Sequence, residues 1–423
     1  MVQKRAFDGD VVIAGGGLAG QTLALALHSA GVGVALVDVL PFETQLEDRF
    51  DGRASALAYT SMRMLDTLGA GERLREFTQR IEDILVCDGR PEDGMRSGGP
   101  GPFTLHFDRH EIHPGPDGEP LGWMAENRHS RLALTEAIAA RPDIAVFAPV
   151  KAVGWTRNSA STDLHLDDGR TLRGKLLVAC DGKFSAVRRQ AGTRSFGWDY
   201  GQKGIVATVE HERPHNGVAY EYFMPSGPFA ILPLTGNRSS LVWTEKAAAA
   251  DALKAMDRAG FEEALRARFG DFLGAVNETG PRWTYPLTLK VAERFYTDGI
   301  AYCGDAARGI HPLAGQGFNL GIRDAAALAE ITAEQKRLGL DLGSTVGLQR
   351  YQAWRRMDSM ALVAATDVFN RLFSNDIAPL RLARGLGLSL VDKIPPARRF
   401  FMRHAGGEIG DLPKLLRGES LAA

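Results

Sequence analysis

The sequence predicts an α/β protein in which a strand–turn–helix unit is interrupted by a mostly antiparallel sheet and followed by a helical C-terminal region. Three observations carry that prediction. A strand, a glycine turn and a helix open the chain at "DVVIAGGGLAGQTLALALHSAG" (10–31), turn-separated β patterns fill 195–282, and a Leu-rich stretch follows residue 346. At roughly 100–200 residues per domain, a chain of 423 residues holds two or three domains with ample core. Its 50 Lys+Arg against 51 Asp+Glu leave a formal net charge of -1, which argues against the strongly basic face that nucleic acid selects. Cys87, Cys180 and Cys303 form no CxxC pair, so neither a disulfide framework nor a cysteine zinc site is expected, and a reducing, cytoplasmic setting fits. Lys4 and Arg5 precede an apolar run, but Asp8 and Asp10 interrupt it and no small-residue cleavage site follows, unlike a secretory signal. No segment reaches the ~18 uninterrupted apolar residues of a spanning helix.

The first element, "VVIA", is a β-branched strand ending in glycine; a helical pattern follows, closed by Gly31, and then a second strand, "GVALVD". Gly15, Gly17 and Gly20 give the spacing GxGxxG, and Asp38 ends the second strand 23 residues after Gly15. Each part has a physical task in dinucleotide binding. The first glycine allows the tight turn, the second lets backbone approach a pyrophosphate, and the third lets helix pack on strand. The helix N-terminus supplies positive potential, and the acid suits a ribose hydroxyl.

The next stretch, "DRFDGRASALAYTSMRMLDTLGAG" (48–71), offers a helix preceded by Asp51, Gly52 and Arg53 in place of further β-α units in series. Residues 81–125 are turn-rich. Within them His106, His110 and His113 lie near Asp108 and Glu111, but no helix aligns them and Pro-Gly-Pro follows, so solvated loop histidines are expected and no metal. A helical stretch, "NRHSRLALTEAIAAR", then leads through short strands to "KLLVACDGKFSAVRR", where a strand runs into a helix again. Asp181 and Gly182 occupy that turn, Ser185 is placed to cap, and Arg188 lies on the first turns; an ordinary β-α turn has the same pattern.

Strands are expected near 217–223, 228–234 and 240–245, separated by the turn sequences "PSG" and "TGNRS". Phe223, Phe229 and Trp243 are either plain core or the lining of a pocket for an aromatic ligand. The strand "IAYCGD" returns the chain to its first domain and enters "GDAARGIHPLAGQGFNLGIRD" (304–324). An acid at a strand end, Asp305, and a helix starting near Gly317 suit an anion or a polarised carbonyl, although a plain loop fits too. The resulting organisation is 1–80, 126–194 and 283–345 as one discontinuous dinucleotide domain, 81–125 and 195–282 as a substrate domain, and 346–423 as a helical region.

These motifs together resemble the FAD-dependent aromatic hydroxylases built on the p-hydroxybenzoate hydroxylase plan, and within them the ubiquinone-biosynthesis hydroxylases. The matching stretches are "GGGLAG" with Asp38, "DGRASAL" with Arg53, "CDGKFSAVR", "GPFAILPL" followed by "SLVW", and "GDAARGIHPLAGQGFNLGIRDAAALAE". They run from residue 11 to about 330, and "RLFSNDIAPLRLARGLGLSLVDKIPP" resembles the C-terminal region of the same subgroup. Arg308 departs from the pattern, since many relatives carry His after "GDAA". The resemblance implies a Rossmann-like FAD-binding domain with an inserted antiparallel substrate domain. It implies Gly15, Gly17 and Gly20 at the ADP, Asp38 on the adenosine ribose, Arg53 near the pyrophosphate and ribityl chain, and Asn127 near the flavin. Asp305 would hold the ribityl chain, Gly315, Gln316 and Gly317 would approach the pyrimidine edge, and Pro312 would flank the ring. Asp181 and Arg188 resemble a motif linked to both FAD and the nicotinamide donor.

The implied reaction uses NADPH or NADH as electron donor, activates O2 at flavin C4a and delivers one oxygen atom to an electron-rich prenylated phenol. No second GxGxxG exists, because "RGLGLSL" at 384–390 lacks the third glycine, so a separate nicotinamide domain of the kind found in disulfide reductases is not expected. His311 is a candidate catalytic base or simply the histidine of a tight His-Pro turn. Residues 371–417 carry nine Lys/Arg against four acids, which suits either a helical cap with a solvated basic face or peripheral contact with the membrane's inner face or a quinone-biosynthesis complex. A polyprenyl reductase of the same fold and a non-catalytic FAD-binding assembly subunit are the other readings.

Overall fold

The computed structural model describes residues 4–47, 49–88, 104–310, 315–373 and 378–422. At its centre the strand Lys4–Ala14 pairs in parallel with Val34–Val37 on one side and Arg170–Ala179 on the other. The sheet continues outward to Ala145–Phe147 at one edge and to Ile300–Tyr302 and Tyr296–Thr297 at the other. Central parallel strands are covered on both faces, which explains the unbroken apolar run: Val11, Val12 and Ile13 are fully buried. The helices Leu18–Ser29 and Gln316–Arg337 pack on this sheet and against each other. That contact is close because Gly321 and Gly304 face Ala19; a Cβ built on either would lie 3.3 and 3.0 Å from the Ala19 Cβ.

A second sheet runs in the order Arg308–Gly309, Val276–Ala292, Ser195–His211, Arg238–Lys246, Gly227–Leu234, Val218–Met224, Asp83–Asp88 and Thr104–Asp108. The alternation of side chains along its strands gives it two unlike faces. Tyr220, Tyr222, Phe229, Ile231, Leu241 and Trp243 form one core with Phe261, Leu265 and Phe269 of the helix Arg258–Phe269. Phe229 and Trp243 are therefore core, their rings edge to face at 5.8 Å, whereas Phe223 lies on the opposite face against Leu105 and Leu388. That opposite face looks at the parallel-sheet domain, and a small sheet of Ala54–Ala58, Gly122–Glu126 and Gln79–Ile81 stands between the two.

The C-terminal helices Thr345–Phe373, Ala378–Asp392 and Pro395–Ala405 lie along the same side. Met402 joins the cluster of Met124, Ala219 and Leu234, and Leu388 joins that of Phe223. The end of the last helix is tied back to the body where the Thr60 hydroxyl donates to the Gly406 carbonyl at 2.7 Å.

Candidate cofactor site

Two helix N-termini open onto one cleft. The helix Leu18–Ser29 starts from Gly17, and the helix Gln316–Arg337 starts from Gly315 at φ 64°; neither has a side-chain cap. Their first backbone N–H groups are left to a ligand, and both dipoles favour negative charge there. The glycines divide their work by space. Gly15 (φ 110°) is pressed against strand Arg170–Ala179, where a Cβ would meet the Cys180 carbonyl oxygen at 2.4 Å, and at Gly20 a Cβ would meet the Gly15 oxygen at 1.9 Å. At Gly17 and Gly317 a Cβ would meet nothing within 4 Å. The open positions lie where backbone can approach a pyrophosphate and a polarised ring edge.

Asp38 closes the first turn: Gly16 N–H donates to one carboxylate oxygen at 2.6 Å and Leu40 N–H to the other at 2.8 Å. Each oxygen keeps a lone pair for a further donor such as a ribose hydroxyl.

The strongest electrostatic feature centres on Asp51. Its side chain is only 3% exposed and accepts from Arg53 Nε at 2.8 Å and Nη2 at 2.9 Å, from Arg131 Nη2 at 2.8 Å and from Asn127 Nδ2 at 3.2 Å. Burial alone would raise its pKa, but Arg53 and Arg131 outweigh burial and hold the carboxyl well below the usual carboxylate range. Tyr285 completes the group. Its hydroxyl donates to Asp51 Oδ1 at 3.4 Å, its ring lies 4.9 Å from the Arg53 guanidinium, and burial pushes its own pKa up to about 12. Asn127 N–H donates to the Arg53 carbonyl at 2.9 Å while its Oδ1 accepts from Ser55 at 2.7 Å. The effect is to aim Arg53, whose side chain is 50% exposed, as a fixed cation into the cleft.

Asp305 faces the same space. It is accessible, has no hydrogen-bond or ion-pair partner among the described residues, and feels Arg53 and Lys183 electrostatically; surrounding protein nevertheless desolvates it enough to raise its pKa. An acceptor in that setting suits a ligand hydroxyl.

Arg188 and Arg308 point elsewhere. Arg188 is buried and donates to the carbonyls of Lys183 (3.0 Å) and Ala306, fastening the 181–185 turn to the Asp305 turn. Asp181 Oδ2 accepts from Ala186 and Val187 N–H at 2.7 and 3.2 Å, whereas its buried Oδ1 has no partner among the described residues. Arg308 makes a two-point ion pair with Asp324 at 2.7 and 2.9 Å; Arg355 Nε joins Asp324 at 2.9 Å, and Gly304 N–H donates to it at 3.0 Å. Arg308 is thus a sealed strut between the Asp305 turn and the helix Gln316–Arg337. Asn319 on that helix similarly clamps Ala56 and Ala58 of the small sheet at 2.8 and 2.9 Å.

Sequence reasoning named Arg53 and Asn127 but missed Asp51 as the hub, along with Arg131, Tyr285 and Asn319; no local spacing connects Tyr285 with an acid 234 residues away. His311 and Pro312 lie outside the described residues, as does the side chain of Gln316. Among the described residues His106 pairs with Asp83 at 2.7 Å, His110 pairs with Asp108 at 2.7 Å, and His113 packs on Tyr59, with no group of His, Cys, Asp or Glu arranged to hold a metal.

Fold and cleft together define a dinucleotide-binding flavoprotein in which a mostly antiparallel sheet interrupts the ligand domain. The chain belongs to the FAD binding domain family, whose model matches residues 8–366. It is 45% identical over 415 residues to the ubiquinone hydroxylase UbiL of Rhodospirillum rubrum, covering 97% of this chain and 93% of that one. The 3-demethoxyubiquinol 3-hydroxylase of Escherichia coli is 31% identical over 399 residues, covering 94% and 98%. Among solved structures, p-nitrophenol 4-monooxygenase from Pseudomonas putida superposes with a TM-score of 0.76 at 19% identity, covering 96% and 99%, a likeness of fold.

Proposed function

We propose that this chain is an FAD-dependent monooxygenase that hydroxylates the ring of a polyprenylated phenol in ubiquinone biosynthesis. The observation that carries the reading is the pairing of two uncapped helix N-termini with the pinned Arg53 and the unpartnered Asp305 in one cleft. The 45% identity to a ubiquinone hydroxylase supports the reaction. This donor and acceptor set fits FAD. Helix Leu18–Ser29 would bind the pyrophosphate through its first amides, Asp38 the adenosine ribose and Asp305 the ribityl hydroxyls, with Gly315 and Gly317 offering N–H groups to the ring's polar edge. When bound, FAD supplies the two-electron chemistry that activates O2 for aromatic hydroxylation.

The protein's own tasks are to hold the ring rigidly against the substrate and to keep water out of the space beneath the antiparallel sheet. In this reading 1–80, 126–194 and 283–345 form the FAD domain, 81–125 and 195–282 the substrate domain, and NADPH or NADH is the donor. No helix among the described residues is long and apolar enough to cross a membrane. Leu386, Leu390, Phe400 and Phe401 are exposed beside the exposed Lys393 and Arg399, and we assign to them a peripheral contact from which a prenyl tail is drawn. Purified protein should carry yellow flavin that NADPH or NADH bleaches and that reoxidises with formation of hydroxylated prenylphenol. Flavin that cycles without product from any prenylated phenol would contradict the reading.

A further inference from the structure

One carboxyl group stands apart from the Asp51 and Asp324 networks. The Glu221 side chain, partly buried in the strand Val218–Met224, has neither a hydrogen-bond nor an ion-pair partner among the described residues. By strand alternation it shares a face with Ala219 and Phe223, and cross-strand pairing adds Ala230 and Val86 to that face. The same registers, carried through Val242 and Val206, bring Trp283 and Tyr285 to it. This is the face whose Tyr285 touches Asp51 and Arg53 in the cofactor cleft. Around Glu221 the lining is apolar. Ala219 packs with Met124 and Met402 on one side, and Phe223 packs with Leu105 and Leu388 on the other. Ala56 borders the first of these clusters, and its backbone lies 3.1 Å from a Cβ built on Gly315. These clusters flank Glu221 on a face that extends from Leu388 and Met402 of the C-terminal helices to Ala56, beside the start of the helix Gln316–Arg337.

A carboxyl without a partner among apolar side chains is a standing cost that a ligand donor or acceptor offsets. We propose that Glu221 is the substrate-recognition group, hydrogen-bonding the ring hydroxyl of a phenol that carries no ring carboxylate. An aromatic carboxylate would lose its hydration against the same apolar side chains beside a second acid, so the face that takes the phenol disfavours the acid. Burial pushes the Glu221 carboxyl up to about 8, nearer to the ordinary phenol value of roughly 10, which favours a strong shared hydrogen bond. The proposal rests on the monooxygenase reading for the reaction but not for the binding.

The test uses the full-length, FAD-loaded protein with two probes, 2-geranylphenol and 3-geranyl-4-hydroxybenzoate, read by flavin absorbance change on binding and by product formation. Wild type should prefer the phenol. Glu221→Gln should lower kcat/KM for the phenol by about 10- to 100-fold at unchanged FAD content. Glu221→Asp should recover part of that loss, and Glu221→Arg should reverse the preference in the binding signal. Unchanged kcat/KM and an unchanged preference in Glu221→Gln would overturn the assignment. If wild type forms no product from either probe, the functional reading fails, and Glu221 is judged on binding alone: a phenol signal that Glu221→Gln does not weaken, or no signal at all, overturns it.

Discussion

The molecule holds two arginine–aspartate clusters that look alike in composition and differ in exposure. Around Asp324, Arg308 and Arg355 close a network in which the Arg308 and Asp324 side chains are both 0% exposed. Around Asp51, Arg131 is sealed in the same way but Arg53 is 50% exposed toward the cleft. An acid with two guanidiniums is a strut when all its members face inward and a binding device when one faces out. The difference explains Arg308, whose side-chain contacts among the described residues are Asp324, the Leu320 carbonyl and the Phe295 ring, all within the scaffold.

Breaking the strut should give the largest effect. Asp324→Ala leaves Arg308 buried without its anion and should cost about 3–5 kcal/mol of stability, seen as a lower Tm with or without added FAD. An unchanged Tm would remove the distinction between the clusters. On the cleft side, Gly17→Val fills space that no protein atom occupies, so FAD retention should fall at least about 100-fold while the flavin-free protein melts as wild type. Gly20→Ala, by contrast, should unfold the turn, since its Cβ would reach the Gly15 oxygen. Arg53→Ala should weaken FAD by about 10-fold with little loss of stability, because Arg131 still neutralises Asp51; titration of flavin fluorescence measures it.

A further effect is a pH dependence. Burial, with no charged neighbour contributing, raises Glu221 from 4.5 to about 8, so the folded chain keeps a proton that the unfolded chain releases between those values. Stability from this group is full below pH 4.5 and declines as pH rises toward 8, and Glu221→Gln should flatten that part of the denaturation profile.

Local pattern made the nucleotide half of the cleft legible. Glycine spacing, a following helix and Asp38 at a strand end are all encoded within about thirty residues. The hairpins of the antiparallel sheet were legible for the same reason, their turns and alternation being local; Val218–Met224, Gly227–Leu234 and Arg238–Lys246 fall within a few residues of the expected strands. Which face of that sheet met the cleft was not legible. Phe223 and Phe229 read alike as aromatic strand residues, and only packing puts one toward the cleft and the other into the core. The Asp51 hub escaped because its partners come from three separate stretches of chain, and a buried acid has no local signature.

The central claim is tested most directly by supplying FAD-loaded protein with NADPH, a short-chain prenylphenol and isotopically labelled O2. One labelled oxygen atom should appear in the ring of the product, formed in step with NADPH consumed. Product whose new oxygen comes from water, or NADPH consumption that yields only reduced oxygen species with every prenylphenol offered, would contradict it.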